Sequence, residues 1–407
     1  MIIKAKYLIT GDGKTVMENA ALYITGSLIE EIGNVKEVCS KYSNEQVVDY
    51  GDAAILPGLI DMHVHIGGTQ SHLDSDAIND YTVGFNGLDF VQRALKSGVT
   101  TLRDVSGPDL LCQSIIYAAN REMLDDIPRI IYSNKAVCAT GGHGWNHGLC
   151  TEADGEDGIR RAVREQIRAG AQWIKIMTSH RSPGVSEYTQ DELNVAVDEA
   201  RRHKRKIAAH SSLQPSLEYC VNAGVDTIEH GTDLTEEQIR RMVDKNITWV
   251  PTLLIHRIVL ENMQKILDDK GKLNERQKET YDLYKYSNEV FKKNFKTYAN
   301  LGVNIVTGTD MIIDGTAPVA AELALMAEYG MDNISAIAAG TSKCAKVLGM
   351  EGEIGLLAKG AIADILVVEG NPLDNIKSLQ NVKAVYFSGN EVNVKKTKAQ
   401  TNSCQTL

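Results

Sequence analysis

Between residues 55 and 310 the chain alternates short apolar, β-branched runs with longer segments of helical periodicity, and few folds accept that repeat. Strand-like cores fall at 55–66, 99–105, 129–140, 172–177, 206–211, 226–230, 247–252 and 303–310. The intervals carry helix signals. Thr189-Gln190-Asp191-Glu192 and Thr235-Glu236-Glu237-Gln238 both have the hydroxyl residue and the Glu or Gln three positions later that cap a helix start reciprocally. Parallel strands can be joined only by crossovers long enough to hold a helix. The expected core is therefore α/β, a (β/α)8 TIM-like barrel. The stretch Arg257 to Leu301 exceeds one barrel helix and reads as two, the first a lid or an oligomer contact.

Outside this repeat the pattern becomes strand and turn. Runs at 4–10, 20–25, 28–32 and 47–49 precede it, and runs at 363–368 and 382–388 follow it. Neither end has enough strands to bury a face alone. The two are expected to join in one small β-sandwich domain, residues 1–56 with 353–395, beside a barrel at 57–352. A polar tail at 396–407 reads as disordered.

A formal net charge of −10 argues against nucleic acid or an anionic membrane as a partner. The short basic run Lys395-Lys396-Thr397-Lys398 does not offset it. The first ten residues read as a strand and lack a small-residue cleavage site, and no apolar stretch is long enough to span a bilayer. Seven scattered cysteines without CxxC spacing fit a reduced, cytoplasmic protein.

A barrel places its chemistry at the C-terminal ends of its strands, so those ends are a test. The first carries His63 and His65, spaced so that both imidazoles leave one face of a strand. The third leads into Gly141-Gly142-His143-Gly144, and the fourth sets Lys175 within Trp173-Ile174-Lys175-Ile176-Met177. His210 ends the fifth, Glu229-His230-Gly231 the sixth, and Gly308-Thr309-Asp310 the eighth. Each residue has a plainer use alone: a strand-end histidine meets solvent, Asp310 caps a helix, Lys175 pairs with a carboxylate. Together they form a donor set for a metal centre. Imidazole and carboxylate suit zinc-like divalent ions. Two such ions about 3.5–4 Å apart require a bridge. A desolvated lysine can supply one by taking up carbon dioxide as a carbamate. Asp310 is placed to act as base toward a water whose pKa the metals bring to about 7, then to pass the proton to a leaving nitrogen.

In Pro57-Gly58-Leu59-Ile60-Asp61-Met62-His63-Val64-His65, and in the run from Gly355 through Lys359-Gly360 to Val368, the chain resembles the amidohydrolase superfamily. The resemblance is to the branch of imidazolonepropionase-like proteins and Xaa-Pro and Xaa-Arg dipeptidases, and it covers nearly the whole chain. It implies that His63, His65 and Asp310 hold a buried metal, that His210 and His230 hold an exposed one, and that carboxylated Lys175 bridges the pair. It also implies that His143 contacts the substrate carbonyl or carboxylate. The implied reaction is attack of a metal-bridging hydroxide on an amide C–N bond, of a dipeptide or an N-acyl amino acid. A cyclic amide of the lactam or imidazolone type is the second choice. Lactonases and phosphotriesterases use much the same site, whereas deaminases usually lack the bridging lysine. Non-catalytic scaffolds of the superfamily have lost ligands that this chain keeps.

Departures from the dipeptidases bear on the substrate. They typically follow the fifth-strand histidine with Ala and then Tyr or His, but here the chain reads His210-Ser211-Ser212, so a group that helps hold a peptide carboxylate is missing. Thr178-Ser179-His180-Arg181 replaces a glycine-rich stretch, and Arg181 is either a substitute clamp or a surface arginine. Met311 stands where a small residue is usual, and His147, Trp145 and Tyr188 are candidate pocket residues. A small-molecule amide is the expected partner, with a homo-oligomer expected by fold analogy.

Overall fold

A computed structural model describes residues 1–68, 79–145, 148–179, 184–311 and 318–394. The run that reads as one strand at 55–66 divides at Gly58 into Ala53–Pro57 and Leu59–Val64. A Cβ at Gly58 would lie 2.3 Å from the Thr100 side chain, so only glycine lets the chain cross there. Before the break Pro57 pairs antiparallel with Ile365; after it Leu59 pairs parallel with Val99.

Both chain ends build a single mixed sheet, in the order Asn390–Glu391, Val382–Phe387, Ile365–Glu369, Ala53–Pro57, Ile2–Ile9, Val16–Thr25 and Leu28–Asn34, with Val47–Asp49 on Ile2–Ile9. Strands from both chain ends share this sheet, and among the described residues no second sheet faces it, unlike the expected β-sandwich. Side-chain alternation explains this. Ile55, Ile365 and Val367 face one apolar cluster with Leu22 and Ile29, whereas Leu56, Leu366 and Val368 face the core of the α/β body. That body covers the face a second sheet would have covered. The tail at 396–407 lies outside the described residues.

The α/β body has two parallel sheets. One orders Cys150–Glu152, Ala136–Cys138, Trp173–Met177, Lys206–Ser211, Thr227–His230 and Thr248–Val250; the other orders Leu59–Val64, Val99–Asp104 and Arg129–Tyr132. The run at 303–310, expected as the eighth strand, forms isolated parallel bridges, Trp249 with Ile305 and, one residue past it, Val64 with Met311. Met62 N–H donates to Thr307 O at 3.0 Å and Asp310 N–H to His63 O at 2.8 Å, which ties this segment to the first strand end. Both capping boxes form, at Thr189 and Thr235. The 257–301 stretch lies in two helices, Leu253–Lys270 and Glu275–Asn300. Among the described residues no helix is long and apolar enough to cross a membrane, and the six described cysteines are free thiols.

Candidate active site

His63 and His65 leave the same face of Leu59–Val64 and its extension, and their rings stand 5.2 Å apart, edge to face. The neighbouring groups set their tautomers. His63 Nδ1 lies 2.7 Å from the Glu229 carboxylate and His65 Nδ1 lies 2.8 Å from the Ser106 carbonyl oxygen. Both partners accept, so each Nδ1 serves as the donor to the group behind it and each Nε2 is turned toward the centre. Those Nε2 atoms face Asp310 Oδ1, at 3.3 Å from His63 and 3.1 Å from His65. Behind His63, Arg103 donates to Glu229 at 2.8 Å, to Met62 O at 2.5 Å and to Thr227 at 3.2 Å. Burial opposes ionisation of Glu229, but the Arg103 charge and the His63 hydrogen bond outweigh it and hold its carboxyl well below the usual range.

Strand alternation would turn His230 away from the face that Glu229 occupies. A left-handed backbone at His230, φ 68°, followed by Gly231 at φ 69°, breaks the alternation. The Trp249 indole N–H fixes this turn by donating to His230 O at 2.7 Å. The His230 ring thereby stands 4.6 Å from His210 and 5.2 Å from His63. Asp310 and Thr252 are also left-handed, at φ 53° and 50°, and Thr252 Oγ1 lies 2.7 Å from His230 Nδ1. Such backbone is uncommon for non-glycine residues and concentrates where side chains must be aimed. Gly308 serves the same end, since an added Cβ would sit 2.7 Å from His63 Cβ.

His63, His230 and Asp310 each present a ligand atom within 4.8 Å of the other two, a triad that can hold a metal ion. Lys175 is 1% exposed, and its Nζ has no hydrogen-bond partner. Burial lowers its pKa to about 8, against the pull of Glu229 and Asp310, so the neutral amine is accessible near physiological pH. Burial likewise holds His210 and His230 well below the ordinary imidazole value, which keeps them neutral as metal ligation requires. Neutral imidazoles, an ionised carboxylate and an orphaned buried amine fit divalent cations.

His143 stacks on His210 with ring centres 4.2 Å apart. Its N–H donates to Glu187 at 2.7 Å, and an added Cβ at Gly142 would meet Glu187 at 2.5 Å, so the glycine admits the carboxylate that anchors this loop. Met311 is buried and paired with Val64, between the two first-strand histidines. Tyr188 is packed in the main core with its hydroxyl committed to Ala153 O at 3.0 Å, so the structure does not bring it to the centre. Trp145 is 53% exposed, and His147 and Arg181 lie outside the described residues.

Sequence reasoning passed over Arg103, Glu229 and Asp61 as functional side chains. Arg103 and Asp61 interrupt apolar strands as Lys175 does, and that was the available signal. Asp61 accepts from His63 N–H at 3.1 Å and from the Thr309 hydroxyl at 2.6 Å, locking the first strand end to the segment that carries Asp310. Burial pushes its pKa up to about 6.

The amidohydrolase family profile matches residues 54–392. Ochratoxinase from Aspergillus niger is 31% identical over 94% of this chain and 84% of its own, and its crystal structure superposes with a TM-score of 0.81. A Xaa-Pro dipeptidase solved with methionine bound in its active site superposes with a TM-score of 0.85, at 27% identity over 96% of this chain and 99% of that one. A prolidase complexed with N-methylphosphonate-L-proline gives a TM-score of 0.81, at 26% identity over 96% and 99% of the two chains.

Proposed function

We propose, from the premise that this chain belongs to the amidohydrolase family and is a hydrolase of C–N amide bonds, that its substrates are N-acyl amino acids or dipeptides. The observation that carries the reading is the convergence of His63, His230 and Asp310 beside the orphaned Lys175 amine. Two neighbours in structure space support the substrate class, one with methionine in its active site and one with an L-proline phosphonate.

In this reading His63, His65 and Asp310 would hold one zinc-like ion, and His210 and His230 would hold a second with Lys175, as its carbamate, completing the donor set. Bound divalent ions supply Lewis acidity toward the carbonyl and bring the pKa of water to about 7. The chain's own groups do the rest. Burial opposes ionisation of Asp310, but the His63 and His65 contacts prevail, and its carboxyl sits well below the ordinary range. Asp310 is therefore ionised at neutral pH and can take the proton of the attacking water. It then delivers that proton to the departing nitrogen as the C–N bond breaks and a C–O bond has formed. His143, stacked on His210, steadies the substrate carbonyl or carboxylate, and the buried walls exclude bulk water.

The test is turnover by the zinc- and bicarbonate-loaded chain on N-acetyl amino acids and dipeptides, beside lactones and phosphotriesters. Release of free amino acid is expected. Consumption of lactones or phosphotriesters with every amide left intact would overturn the reading.

A further inference from the structure

His256 takes no part in the proposed centre, yet the fold holds it there. It lies in the first turn of Leu253–Lys270, a helix that starts from Thr252, the residue bonded to His230. Glu322 fixes that turn by accepting from Leu253 N–H at 2.9 Å and Leu254 N–H at 2.6 Å. Asn288 on Glu275–Asn300 donates to His256 O at 2.8 Å. Tyr284 and Phe291 of that helix flank the His256 ring, each with its centre 5.1 Å away, and the His230 ring stands 5.9 Å off. The residue is only 7% exposed, and its Nδ1 has no hydrogen-bond partner. A buried polar nitrogen without a partner is unfavourable, and a bound group that hydrogen-bonds it removes that cost.

Charge narrows what that is. Arg103 is fully engaged behind His63, and Lys175 belongs to the centre. Ser212, two residues past His210, offers only a short hydroxyl. Among the described residues, His256 presents a buried ring nitrogen, Nδ1, that lacks a hydrogen-bond partner, and its ring stands beside His230. An imidazole carries at least one N–H to donate whether it is neutral or charged.

We propose that His256 is a specificity-determining residue that hydrogen-bonds the α-carboxylate of the substrate's C-terminal amino acid. The inference rests on the amino-acid substrate reading above, but it concerns binding and is tested without turnover. L-Methionine and L-methioninol, which lacks the carboxylate, are titrated calorimetrically into the zinc-loaded full chain. Wild type is expected to prefer methionine by about tenfold or more, the scale of one hydrogen bond to a charged group. His256→Phe should bring the two within about twofold of each other, a loss of that same interaction. His256→Asn, which keeps a donor near the Nδ1 position, should recover part of the preference. Metal content and melting temperature of both variants should match wild type.

An unchanged preference in His256→Phe overturns the assignment, as does a wild type that does not distinguish the two probes. Equal weakening of both probes by His256→Phe also overturns it, because that marks a packing role. Failure of amide turnover with the carboxylate preference intact would instead count against the hydrolysis reading alone.

Discussion

The two halves of the centre are built differently. On the His63 side both imidazoles have the rear nitrogen tied, His63 to Glu229 at 2.7 Å and His65 to Ser106 O at 2.8 Å, whereas on the other side His230 alone is tied, to Thr252 at 2.7 Å. On the other side no hydrogen bond among the described residues reaches the His210 ring, which rests against His143, and Lys175 Nζ is bare. The first half is preorganised by groups behind the ligands, as metal-binding histidines usually are. The second half is completed by what it binds. The difference predicts a tightly held ion on the His63 side and a more readily exchanged one on the His210 side.

Asp310 faces both halves, so its loss should have the largest effect. Asp310→Asn removes the proton carrier, and amide turnover should fall by about 10²–10⁴-fold. Steady-state assay on N-acetyl-L-methionine checks this, and a variant retaining a tenth of wild-type activity would separate Asp310 from the chemistry.

Glu229→Gln should affect one half alone. It keeps the size of the side chain but leaves His63 without an anionic partner, and affinity for the tighter ion should fall about 10–100-fold. Competition with a chelator measures both binding steps, and equal weakening of the two would contradict the asymmetry. Arg103→Met is harsher on the fold, because it strands the Glu229 charge in the interior at a cost of about 3–5 kcal/mol. Its melting temperature should drop well below that of Glu229→Gln.

His143→Ala should sharpen the contrast from the other side. It removes the face on which His210 rests, and KM should rise about tenfold with the tighter ion unaffected. A change in tight-ion affinity would place His143 in the wrong half.

The smallest expected effect is on pH. Carbamate formation needs the neutral amine, and Lys175 at about 8 becomes mostly neutral only above that value. The initial rate of uptake of labelled carbon dioxide by metal-free protein, at fixed dissolved carbon dioxide, should therefore rise between about pH 7 and 9 and then level off as the amine becomes fully neutral. A flat profile would mean that Lys175 is not the reacting amine.

How far the sequence revealed this site follows from how each residue is aimed. His63 and His65 are legible because a strand repeats every two residues, so the pair necessarily shares a face. Lys175 is legible as a charge inside an apolar run. His230 and Asp310 reach the centre only through left-handed backbone, which no periodicity announces, and Glu229 was hidden beside His230 for the same reason. His256 was hidden because it belongs to a helix read as an appendage, and its burial depends on Tyr284 and Phe291 nearly thirty residues or more away in the chain. The chain ends were legible as strands, but whether a second sheet or the α/β body covers them depends on packing between distant segments.

The most direct measurement is metal content per chain, by inductively coupled plasma mass spectrometry, after loading with zinc and bicarbonate and removing weakly bound ions. Wild type is predicted to retain two zinc ions, and Lys175→Ala to retain one, on the His63 side. A wild type that saturates at one ion, or a Lys175→Ala variant that still holds two, would contradict a centre bridged by that lysine.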